Sequence, residues 1–295
     1  MERAEALRAL DELASEQAGL VTAAQASAAG VDHLTQRRLV EAGLLERLSR
    51  GVYRVAGAQL PDHPWIRVAW LRLDPDTPAW QRTGLGRDDG VVSHRSATVL
   101  HSLGDIPAPE VELSVPRRRT TREPGVRLLT RPDLTEQDVV FVSGLPVTTP
   151  ERTILDLLRD RADGGHVGRV IADADRRGLV DIEALGSTAD GLGAGYGMPN
   201  ASGRELLSAL VSAVDQQLGA DKVAAAVLSA FAAGAESVTE QLEEVRRLGV
   251  APEILRLAVA SAEALRATGL PPEVLGNIAK SAALLATKPE PEVHP

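Results

Sequence analysis

Between residues 33 and 38 the chain sets His33, Thr35, Gln36, Arg37 and Arg38 close together. These side chains can read the edges of DNA bases. Glutamine offers a donor and an acceptor side by side, which suits adenine, and arginine offers two parallel N–H groups, which suit guanine. Arg47, Arg50 and Arg54 follow around Gly51, spaced for phosphate or minor-groove contact from a short hairpin. For Arg38, phosphate contact is the alternative to base reading. A second basic group is Arg117, Arg118, Arg119 and Arg122, followed by Arg127. It fits a further nucleic-acid contact, a dock for an acidic partner, or a solvated loop between two strands.

Other constellations invite catalysis and fall short of it. His94 and His101 lie seven apart and could face one side of a helix as metal ligands, but no carboxylate stands at helical spacing between them. Packing or capping is therefore the expected role. Thr149, Arg152 and Asp156 fit a helix cap and an i,i+4 ion pair. None of the three lysines follows an acidic residue at Glu-x-Lys spacing, and no Gly-Lys-Ser/Thr loop exists to hold phosphate. The Gly191–Gly195 run lacks the preceding strand of a dinucleotide fingerprint. With no cysteine, disulfides, zinc ribbons and thiol nucleophiles are excluded. No catalytic residue, metal or cofactor is expected.

The elements that must hold the basic residues follow from periodicity. Ala6, Leu7, Leu10, Leu13 and Ala14 form a helical stripe within residues 2–17. Thr22 with Gln25 is a capping box for a short second helix, and Gly30-Val31-Asp32 is a turn. Asp32 caps a third helix over 33–42, which Gly43 stops. Leu39, Ala42 and Val31 are its expected core face, leaving Gln36 and Arg37 outward. Two short strands, 44–48 and 52–55, flank Ser49-Arg50-Gly51. Helix, helix, turn, helix and hairpin is the order of a winged helix-turn-helix.

Farther along, 65–73 is apolar and fits strand or helix. Strands are expected at 90–93, 111–116, 126–130 and 141–147, the last broken by Gly144, with helices at 94–103, 149–158 and 166–177. The glycine-rich stretch 186–200 reads as a linker. Ser202 with Glu205 opens a helical region, and 288–295 is a Pro/Glu-rich tail.

The net charge of −9 is unevenly spread: −1 over residues 1–56, −3 over 57–186 and −5 over 187–295. Six arginines and one glutamate crowd 113–131. DNA affinity depends on where cations meet phosphates rather than on the total, so the acidic last third is not expected to touch DNA. No signal peptide and no membrane-spanning run is recognisable, so a cytoplasmic protein is expected.

The stretch from Gly30-Val31 through Leu39–Arg47 to Arg50-Gly51-Val52-Tyr53-Arg54 resembles the N-terminal domain of AbiEi-type antitoxins. Ser93–Ala97 with Leu100–Leu103, and Pro146–Asp156, are similar to that family's middle domain. The resemblance implies a repressor acting at inverted repeats in the operator DNA of its own operon. It also implies a neighbouring nucleotidyltransferase-like toxin, counteracted directly or indirectly. The expectation is thus an α+β multidomain protein: a DNA-binding winged helix-turn-helix at 1–56, a central α+β domain at 57–186 and a C-terminal α-helical bundle at 200–287. A nucleic-acid-processing enzyme and a ligand-responsive regulator stay open as alternatives.

Overall fold

The computed structural model describes residues 2–214. Their order begins with α1 (Arg3–Ser15), β1 (Leu20–Thr22), α2 (Ala23–Ala28), α3 (His33–Glu41), β2 (Leu45–Ser49) and β3 (Val52–Val55). The expected capping box is present. The Thr22 side chain accepts from the Gln25 amide while the Gln25 side chain accepts from the Thr22 amide. Asp32 accepts from the Thr35 amide at 2.7 Å and so starts α3. The strand β1 was not legible as a strand. Its three residues alternate with nothing and are all buried, yet they pair antiparallel with β3 and complete a three-stranded sheet ordered β1-β3-β2. Ala6, Leu10 and Ala14 of α1 meet Val21, Ala26, Val31, Leu39, Leu45 and Val55 in a core beneath this sheet.

The apolar stretch after residue 63 is helical, as α4 (Pro64–Leu71), with proline in its first turn. Next come β4 (Val91–Val92), α5 (His94–His101), β5 (Val111–Val115), β6 (Val126–Thr130), β7 (Val139–Val142), β8 (Leu145–Thr148), α6 (Pro150–Arg159), α7 (Gly164–Arg176) and α8 (Ile182–Thr188). The strands form a mixed sheet ordered β6-β5-β4-β8-β7. The single strand expected over 141–147 is in fact a hairpin. Ser143 and Gly144 both take positive φ, 50° and 76°, and this two-residue turn folds β7 back antiparallel on β8.

The two sheets are joined by a common core. Leu20 and Val52 from the first pack with Ile66, Trp70, Leu71 and Leu113 of the second region. Polar ties cross the same seam: Gln17 Oε1 accepts from the Ala79 amide at 2.9 Å, and Gln25 Nε2 donates to the Thr77 carbonyl at 3.1 Å. Behind it, Arg82 and Asp89 form a buried pair, with the guanidinium 3.6 Å above the Trp70 ring centroid.

The expected linker at 186–200 is instead packed structure. It holds the end of α8 and a 3₁₀ turn at Leu192–Tyr196, and the Tyr196 hydroxyl donates to the Ala162 carbonyl. Its glycines serve close approach: a Cβ on Gly193 would stand 2.3 Å from the Met198 carbonyl oxygen. The capping box of Ser202 and Glu205 is formed. Beyond residue 214, the expected helical bundle and tail lie outside the described residues. Among the described residues no helix is long and apolar enough to cross a membrane.

Candidate nucleic-acid interface

The helices α2 and α3 are joined through Gly30 and Val31, and α3 carries its polar face away from the core. Leu39 is buried on its inner side. At a helical period of 3.6 residues, His33, Leu34, Arg37, Arg38 and Glu41 fall on one face, and all five are exposed. Thr35 is half-buried at its edge. The Thr35 amide hydrogen bond also holds the Asp32 carboxyl below its ordinary range, keeping the cap charged at the helix N-terminus, where a negative group is favoured.

Gln36 is a correction. Its side chain is buried, not outward, and Nε2 donates to the Val31 carbonyl at 2.8 Å, the Ala23 carbonyl at 3.1 Å and the Ser27 hydroxyl at 3.1 Å. The residue clamps α3 against α2 and cannot reach a base edge from there. Ala42, expected in the core, is exposed; the true inward stripe runs through Gln36 and Leu39. Leu34, by contrast, stands 57% exposed on the outer face. An apolar side chain on the outer face of a helix beside His33 was the signal that could have found it, since thymine methyls are met by such groups.

The arginines differ in how free they are. Arg37 is paired with Glu41 at 2.8 Å, both well exposed. Arg38 and Arg50 are exposed and in no ion pair among the described residues. Arg47 bonds the Ser49 carbonyl at 3.3 Å. Arg54 is held in an ion pair with Glu46 and is partly buried, which suits it to bracing the hairpin. Arg50 stands at the tip beside Gly51, and His33 and Arg50 line one cleft together with the start of α2. The start of α3 and the hairpin tip therefore border one cleft, whose remaining wall is Arg72, Pro75 and Asp76.

The second arginine group divides likewise. Arg117 pairs with Asp88, and Arg119 donates to the Asp88 and Leu73 carbonyls at 2.6 and 2.7 Å. Arg118 and Arg122 are exposed. The loop is therefore anchored by two arginines and presents two.

The histidines serve packing. His101 Nε2 lies 2.7 Å from the Thr148 carbonyl, which it must reach as a donor. His94 is buried at a positive φ of 50°. Its Nδ1 meets Ser93 Oγ at 2.9 Å, and Arg131 donates to Nε2 at 3.2 Å. Asp160 stands 3.6 Å from the same nitrogen. Serine, histidine and aspartate are thus neighbours, but the polarity opposes nucleophilic catalysis. An arginine can only donate, so Nε2 accepts and Nδ1 carries the proton toward Ser93. Burial pushes the His94 pKa down and keeps the ring neutral. Such an imidazole cannot take the serine proton. Arg152 is locked among Asp156, Asp133 and Asp138, with Thr149 capping α6. Among the described residues no three acidic or histidine side chains are grouped to hold a metal ion.

A helix pair beside an arginine-tipped hairpin is the arrangement that the helix-turn-helix class of DNA-binding regulators uses. More particularly, residues 8–56 match a family model described as "Transcriptional regulator, AbiEi antitoxin". The match runs from within α1 to the end of β3, across the elements that build the candidate interface. The middle segments at 93–103 and 146–156 lie beyond it. No curated protein matches the chain.

Proposed function

We propose that the chain is an autorepressor and antitoxin whose first 56 residues are a winged helix-turn-helix, with α3 entering the major groove of operator DNA and the β2–β3 hairpin as the wing. The observation that carries this reading is that His33 of α3 and Arg50 of the hairpin tip line one cleft. A duplex can then meet both at once. His33, Leu34, Arg37 and Arg38 face base edges, and Arg47 and Arg50 face the backbone, where each neutralised phosphate releases counterions. Thr35 stands at the edge of the same face. Arg118 and Arg122 extend the basic surface, and Arg117 and Arg119 hold their loop in place. Operator half-sites arranged as inverted repeats match a two-fold pair of such domains. The family description supports the antitoxin half of the reading; a nucleotidyltransferase-like toxin as the counterpart and the cytoplasm as the place of action belong to the proposal alone.

The test is fluorescence anisotropy with the duplex upstream of the chain's own gene, set against a scrambled duplex of the same length. The full chain should prefer its own upstream duplex. The double variant Arg37→Ala, Arg38→Ala should lose that preference while remaining folded by circular dichroism. A folded double variant with undiminished preference would remove α3 from the reading role. Co-expression with the toxin of the same operon, scored by growth, tests the antitoxin half.

A further inference from the structure

The wing has a cavity beneath it that DNA binding does not use. It measures about 600 Å³ and lies between the hairpin, α4, α5 and the loop before β6. That volume is within the range of small-molecule sites. Its walls are chiefly Leu48, Trp65, Val99, Val111, Pro124 and Val126. Trp65, on the lining, is 61% exposed, a large aromatic side chain left to solvent. The Ser49 hydroxyl is buried without a hydrogen-bond partner among the described residues and belongs to the same lining.

The charges around the cavity choose its occupant. Arg72 is paired with Glu123, so those two cancel. Glu110, exposed on the lining, is in no ion pair among the described residues, and His63 is the remaining titratable group. An unpaired carboxylate and an exposed indole on the lining of one cavity both attract a cation, the first by charge and the second by the negative face of the ring. We propose that this cavity is an effector site for a small apolar cation, its aromatic or aliphatic body against the valines and prolines and its positive centre between Trp65 and Glu110.

Occupancy reaches the DNA interface through the wing itself. The β2–β3 register passes from Arg47 opposite Tyr53 to Ser49 opposite Val52, leaving Leu48 as the extra residue of a bulge. Leu48 lines the cavity, and Arg50 at the tip is two residues on. A body seated against Leu48 therefore presses on the segment that aims Arg50. Only this coupling rests on the DNA-binding reading; the site itself does not.

Tetraphenylphosphonium and tetraphenylborate, alike in shape and opposite in charge, are the probes. Isothermal titration of the full chain without DNA should show the cation binding at least about tenfold more tightly than the anion. Trp65→Ala and Glu110→Gln alter exposed side chains and should each weaken the cation about fivefold or more. Equal affinity for both probes, no binding of the cation, or indifference to both substitutions would overturn the site. Operator DNA and the cation should then change each other's affinity by one common factor. Cation binding that is unaltered by operator-saturated protein would overturn the coupling while leaving the site. Failure of the operator to bind at all would instead fall on the DNA-binding reading.

Discussion

At the scale of single residues, the interface separates side chains that hold the reader from those that read. Gln36 belongs to the first kind. The two hydrogens of its amide nitrogen are shared among three acceptors between α2 and α3, and Gln36→Ala would leave those buried acceptors without their donor. The expected cost is about 1–3 kcal/mol of folding stability, seen as a lower urea midpoint, with base preference among folded molecules unchanged. A variant of unchanged stability with altered base preference would return Gln36 to the major groove. On the proposed reading Arg50 is of the second kind. Arg50→Ala should weaken all duplexes alike and lower the slope of log affinity against log salt by about one unit. Anisotropy titrations across a salt series measure that slope, and a change of preferred sequence in this variant would contradict a backbone role.

At the scale of elements, glycine marks close packing as often as freedom. The stretch after α8 is rich in glycine, and composition alone gives it the look of a flexible tether. Its backbone is instead pressed against its surroundings. Gly203 is buried with its amide bonded to Asp190, and a Cβ there would stand 2.1 Å from the Gly186 carbonyl oxygen and 2.7 Å from the Ala189 carbonyl carbon. These neighbours are backbone and cannot swing aside. Gly203→Ala should therefore destabilise the chain by about 1–3 kcal/mol, the usual cost of forcing atoms into a filled space. Chemical denaturation measures it, and a neutral result would restore the tether. The β7–β8 hairpin teaches the complementary point: a serine in the left-handed region beside Gly144 conceals a turn within what looks like one strand.

At the scale of the whole molecule, the seam between the two sheets makes the reader and the central region depend on each other. Leu20 and Val52 pack on Ile66, Trp70, Leu71 and Leu113, so deleting residues 1–56 would uncover part of the central core as well as remove the proposed reader. The central region also carries a pH dependence. Burial holds both His94 and His101 below the ordinary histidine value, so the folded chain keeps them neutral where the unfolded chain would take up protons. Their contribution to stability is present above about pH 6.5 and lost as pH falls below it, through the folded values. The urea midpoint should be lower at about pH 5.5 than at about pH 7.5. His101→Gln keeps a donor for the Thr148 carbonyl and cannot titrate, so it should flatten part of that difference. An unaltered pH dependence in this variant would assign the effect to other groups.

What the sequence determined by itself is local. Capping boxes at Thr22 and Ser202, the Asp32 cap, the stops at Gly30 and Gly43 and the helical stripe of α1 are each written within a few residues, because a cap or a period needs only neighbours. The order of elements, and with it the reading of a DNA-binding domain, follows from those signals. Tertiary structure alone decided the rest. The strand β1 is three residues with no alternation, and only pairing with β3 makes it a strand. The phase of α3 was settled by which side α2 occupies, which turned Gln36 inward and Leu34 outward. Which arginines are spent on Glu46, Asp88 or Glu41, and which remain for phosphate, depends on carboxylates brought close by folding. The cavity under the wing depends on the approach of α4, α5 and the hairpin, segments far apart along the chain. Burial and pairing are properties of what comes near in space, and no local pattern encodes them.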